Sequence, residues 1–131
     1  MFQRQTIGVV CVACVMAMNV AVAGEGRKLE KAEVVERFTD VTFDGVFLPK
    51  NKKFVAYDAP DGKLEILRPD GKRDEGRTWF VNDEGQRCAT SPKWKAPRCF
   101  DLFDMGDGTY HQYLDGKHVH ILSNLRAGNQ L

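Results

Sequence analysis

The chain has 131 residues, enough for one modest domain, and its 19 basic and 18 acidic side chains leave a formal net charge of +1. That balance excludes a general nucleic-acid binder, which needs a clear basic excess. No charge block exceeds a few residues, so long-range steering of a charged partner is weak.

Residues 1–23 carry the three-part pattern of a secretory signal. Arg4 precedes an apolar run from Ile7 to about Met18, and the small residues of Ala21-Val22-Ala23 follow, so cleavage is expected before Gly24. The stretch from Ile7 to Ala23 falls short of the roughly 20 apolar residues of a spanning helix and contains Asn19, so no stable membrane insertion is expected after processing. A single domain over residues 24–131 remains, periplasmic or secreted. Cys11 and Cys14 leave with the leader despite their C-x-x-C spacing. Cys88 and Cys99 are the pair that stays, and in an oxidising compartment they are read as a disulfide.

The segment 29–38, LEKAEVVERF, places Leu29, Ala32, Val35 and Phe38 at helical spacing and predicts one short helix. After Asp40 the texture changes to short β-rich runs: 41–48, 53–58, 63–68, 77–81, 87–90, 99–104, 109–114 and 118–122. Turn-forming stretches such as APDG, PDG, NDEG, GDG and DG separate them. The expected fold is therefore mainly β: about eight short antiparallel strands as a small meander barrel or sandwich, with one short N-terminal helix. The final NLRAGNQL is expected to leave the last strand as a loop. Trp79 and Phe100 would line a pocket if the barrel interior is open and would otherwise be core.

The series AEVVERFTDVTFDG, YDAPDGK and GRTWFVNDEGQRC, then a second cysteine and GDGTY, resembles a family of small exported proteobacterial proteins with a domain of unknown function. Gly76, Thr78, Trp79, Val81, Gly85, Cys88 and Cys99 carry the likeness. The resemblance implies a bacterial envelope setting and agrees with the disulfide. It lends no activity and no catalytic residue.

Two stretches bear on chemistry. Between the cysteines, ATSPKWKAPR contains Pro92 and Pro97 and reads as an exposed loop, offering Lys93, Trp94, Lys95 and Arg98 for contact with a sugar, an acidic peptide or the envelope surface. The alternative is that Trp94 folds back over the domain. All three histidines fall in TYHQYLDGKHVH, 109–120. With Asp115-Gly116 as a two-residue turn, His111 would oppose His120, and both would share a face with Tyr113 and His118. His111, His118 and His120 could then hold Zn²⁺ or Cu²⁺. The alternatives are ordinary exposed or packed histidines, or a pH-responsive patch.

Asp101, Asp104 and Asp107 lack the spacing of a calcium loop, and no phosphate-binding glycine loop or identifiable nucleophile motif is present. The expectation is an exported, non-catalytic envelope protein that binds a ligand or a protein partner, without a cofactor. A metal-binding histidine hairpin, or an inhibitor presenting the Trp94 loop to an envelope or host hydrolase, are the rival readings.

Overall fold

Successive strands that each pair with the next in the chain must end at a free edge or return to the first, and here they return. The computed structural model describes residues 22–23 and 26–131. The core of the expected leader, with Cys11, Cys14 and the cleavage position before Gly24, lies outside the described residues. A short β1 (Val22–Ala23) and β2 (Gly26–Lys28) lead into helix α1 (Lys31–Phe38). There follow β3 (Val41–Phe47), β4 (Lys52–Asp58), β5 (Lys63–Leu67), β6 (Arg73–Val81), β7 (Arg87–Thr90), β8 (Arg98–Asp104), β9 (Tyr110–Leu114) and β10 (Lys117–Ala127).

Strands β3 to β10 form an antiparallel up-and-down meander, and β10 closes it on β3 through pairs running from His120 opposite Phe47 to Ala127 opposite Val41. The result is a closed eight-stranded barrel, the mainly β fold that the punctuated strand pattern predicts. Beyond the end of β7, β2 takes the open edge of β8 at Phe103 and Asp104, as one extra strand.

Three boundaries move by more than one residue. The strand expected over 77–81 begins at Arg73, because Arg73 and Asp74 pair with Leu67 and Ile66 of β5. The helix starts at Lys31 rather than Leu29, because Leu29 is still extended: its N–H donates to Leu102 O at 2.8 Å while its side chain enters the core. The expected C-terminal loop is instead strand as far as Ala127, held by the pairing that closes the barrel. Beyond it, Gly128 N–H donates to Asp40 O and Gly128 O accepts from Thr42 Oγ1.

α1 plugs one pole. The inward face is Val34 and Phe38, not the expected Ala32 and Val35, which are exposed; Phe38 meets Phe43 and Tyr110 edge-on, with ring centroids 5.5 and 5.4 Å apart. Outside, Glu33 accepts from the Glu30 N–H at the helix start and from the Arg27 guanidinium, which holds its carboxyl down at about 2. Arg37 reaches Asp104 at 2.6 Å, tying the helix to β8. No helix among the described residues is long and apolar enough to cross a membrane.

Cys88 and Cys99 are directly opposed on β7 and β8, their sulfurs 2.06 Å apart, as the pairing expected from the sequence requires. The bridge closes the 91–97 loop at its base. Loop-closure entropy puts its contribution at about 2–3 kcal/mol. The Cys88→Ser/Cys99→Ser variant should therefore unfold at lower urea, with a steeper slope because the unfolded chain without the crosslink exposes more surface, a comparison that equilibrium denaturation followed by circular dichroism makes directly.

Candidate functional site

The pole opposite α1 is open, and a cavity of about 840 Å³, half open to solvent, spans that mouth from rim residues such as Lys50 and Asp70 down to the inward side chains of the barrel. Phe43, Phe54, Phe100, Leu64, Ile66 and Leu122 form most of its apolar wall. Alternation accounts for these positions, since every second residue of a barrel strand faces in. Gly45 is also inward, opposite Phe54 on β4. A Cβ there would lie 2.2 Å from Phe54 Cζ, so glycine lets that ring lie against the β3 wall instead of across the cavity.

Two β-bulges break the alternation and bring polar groups inside. In β6, Leu64 pairs with Arg77 but Ile66 pairs with Asp74, so one extra residue is taken up beside Gly76 at φ 76°. Asp74 and Arg77, three apart in the chain, both line the cavity as a result. In β10, His118 pairs with Tyr113 but His120 pairs with Gln112, and Val119 is the added residue. Val119 and His120, though adjacent, both line the cavity.

His120 ends a buried chain of hydrogen bonds. Arg87 grips the Asp58 carboxylate with Nε, at 2.8 Å, and Nη2, and both side chains are almost wholly removed from solvent. Burial pushes the Asp58 carboxyl up, and the bidentate guanidinium opposes that shift. Arg87 Nη1 donates to Gln112 Oε1 at 3.3 Å. A guanidinium can only donate, so this bond fixes the amide with its NH₂ toward His120. Gln112 Nε2 lies 3.0 Å from His120 Nδ1, which must accept. The imidazole is therefore neutral, with its proton on Nε2. Burial, with the nearby positive charge of Arg87, holds its pKa down at about 4. Phe47, Phe54 and Phe100 surround the ring at centroid distances of 5.5, 5.8 and 5.2 Å.

The mouth is cationic. Lys50, Lys52, Lys53, Arg68, Arg77 and Arg98 line it against Asp70 and Asp74. Asp74 pairs with both Arg68 and Arg77. Trp94 folds back over the opening between two guanidiniums, with Arg98 3.9 Å and Arg77 4.9 Å from its ring centroid. Within the expected contact loop, Trp94 is thus part of the cavity wall, Lys93 and Lys95 point to solvent, and Arg98 stands on the rim.

The histidine hairpin has the expected Asp115-Gly116 turn, with φ 49° and 83°, and Leu114 opposite Lys117. Its register past Tyr113 is not the expected one. The Val119 bulge sets His111 opposite Ile121, not His120, and sends His120 inside. His111 and His118 remain outside, stacked at 4.3 Å between centroids, with Tyr113 on His118 at 4.7 Å. His118 Nε2 is buried there without a hydrogen-bond partner among the described residues. The structure therefore does not bring His111, His118 and His120 together, and among the described residues no group of three His, Cys, Asp or Glu is placed to hold a metal ion. Asp101, Asp104 and Asp107 are also apart in role: Asp101 meets Lys28, Asp104 meets Arg37, and Asp107 accepts from Thr109. Of the two aromatic candidates, Phe100 lines the cavity, whereas Trp79 is core, its indole N–H donating to Ala59 O at 2.8 Å.

Asp58, Arg87 and Gln112 were not singled out from the sequence. The signal was the strand phase: Phe54, Ala56 and Asp58 share one face of KFVAYD, and Arg87 shares one with Ala89, so each strand places a charge on its inward side. No protein-family model, no curated protein and no solved structure matches this chain.

Two outcomes test the buried chain. Arg87→Met strands the Asp58 charge and should destabilise the fold by about 3–5 kcal/mol, with part recovered by adding Asp58→Asn; chemical denaturation of the three variants measures both effects. For His120 the folded pKa of about 4 lies below the ordinary 6.5, so the unfolded chain binds the proton first. Its contribution is full above pH 6.5 and lost as the pH falls toward 4, on the order of 3 kcal/mol in all. In His120→Gln the difference in stability from the parent should shrink steadily across that interval.

Proposed function

We propose that this protein is an exported binding protein that takes a small, largely hydrocarbon molecule into its barrel and holds it without chemical turnover. The observation that carries the reading is the cavity: about 840 Å³, plugged at one pole by α1 and open at the other. That volume falls within the roughly 300–1,000 Å³ typical of small-molecule sites. Eight-stranded barrels are also the size class whose interior is either filled by side chains or holds one small ligand.

The polar groups inside support holding over reacting. Arg87 is committed to Asp58, and His120 is neutral with Nδ1 occupied by Gln112. His120 Nε2–H is left as a donor in an otherwise aromatic wall, an arrangement that orients a guest. Export is supported by the apolar N-terminal run with its small-residue end, and by the cysteine pair at bonding distance.

Dodecanol is a suitable neutral probe. Titration followed by tryptophan emission, with Trp94 in the wall, should give saturable binding at one site per chain. Ile66→Trp fills the cavity from a half-buried wall position and should abolish that binding while leaving the thermal transition in place. Unchanged binding by a folded Ile66→Trp variant would place the probe elsewhere and remove the proposal.

A further inference from the structure

We propose that the guest is a single-chain amphiphile with an anionic head, its head seated at the mouth against Arg77 and Arg98 and its tail inside the barrel. This rests on the binding reading above and adds the chemical class of the ligand.

The charge at the mouth exceeds what the protein itself neutralises. Arg68 and Arg77 share the one carboxylate of Asp74. Among the described residues Arg98 has no acidic partner; its contact is the face of Trp94 at 3.9 Å. The whole chain carries a formal charge of only +1, so this surplus is local to the opening. Arg77 is also half-buried, and its desolvation lowers its pKa, with Arg68 and Arg98 adding to that and Asp74 working against it. Three guanidiniums crowded at one edge of an apolar cavity, with one acid between two of them, are relieved by a further anion.

The geometry also selects the head. Guanidiniums present paired N–H donors in a plane and match carboxylate or phosphate oxygens two at a time. Trp94 lies against both guanidiniums; Arg98 has no carboxylate among the described residues on its donors, and Arg77 gives Asp74 only part of its fork. Immediately inside stand Phe47, Phe54 and Phe100, which suit a hydrocarbon chain, and the neutral His120 among them can donate one hydrogen bond but carries no charge to balance a second anion. A cationic amphiphile would meet repulsion at the rim, and a dianion with charges at both ends would have to bury one of them among phenyl rings.

Calorimetric titration of the disulfide-bonded protein, below micellar concentrations, tests this with four twelve-carbon probes: dodecanoate, dodecyl phosphate, dodecanol and dodecyltrimethylammonium. At least one anion should bind about tenfold or more tighter than dodecanol, and the cation weaker than dodecanol. A preference for dodecanoate marks a free acid, and one for dodecyl phosphate a phosphate-headed lipid; either supports the proposal. Raising the salt should narrow the gap between anion and alcohol in the parent protein, a readout that needs no variant. Arg77→Gln/Arg98→Gln should erase the gap between anion and alcohol, chiefly through loss of anion affinity. Equal affinities for anions and alcohol would overturn the anionic head while leaving the barrel as a binding site. Failure of all four probes to bind would overturn the binding reading itself.

Discussion

A guanidinium and a carboxylate sealed inside an eight-stranded barrel oblige the rest of the interior to accommodate them. Neither Asp58 nor Arg87 can be solvated where it stands, so each must be matched by the other, and the match has to be geometrically good to offset the loss of water. The pair joins β4 to β7 across the interior. Gln112 extends the connection to β9 and His120 to β10. Four of the eight strands are thereby tied at fixed heights by groups that lose their partners if any one strand slips. A purely apolar interior of the same volume would tolerate such slips more readily, because hydrocarbon contacts have no direction.

The same constraint explains why the interior is not simply filled. Aromatic residues around His120 keep water from competing for its Nδ1, and the glycine opposite Phe54 lets one of those rings lie flat. Below, Phe38, Phe43 and Tyr110 close the pole edge-to-face under α1. Above, the wall ends in cationic side chains, with Lys50, Lys52 and Lys53 exposed and Arg77 and Arg98 against Trp94 at the opening. Packing is thus dense where the helix docks and loose toward the mouth, and the difference follows from which side chains occupy each level.

Much of this fold can be read from the chain. The turn residues mark the strands, the two cysteines meet as the disulfide read from the sequence, and LEKAEVVERF marks α1 but not its inward face, since Ala32 and Val35 are exposed and Val34 is buried. The inward wall at Phe54, Ala56 and Leu64 follows from simple alternation. The interior polar set is hidden for a specific reason. His120, and the combination of Asp74 with Arg77, depend on one extra residue in β10 and one in β6, and a bulge inverts the facing of everything beyond it. Gly76 at positive φ is a sign of the second bulge that a sequence can show; Val119, an ordinary strand residue, gives none for the first. The side that Trp94 takes was equally undecided, since its packing depends on Arg77, seventeen positions upstream on another strand.

The chain enters and leaves the barrel at one pole. Gly26 lies beside Met105 at the helix-bearing end, and the segment after Ala127 is fastened to Asp40 and Thr42 at that same end. A fusion partner, tether or solid support joined after Leu131 would therefore start behind the plug and leave the opening unobstructed.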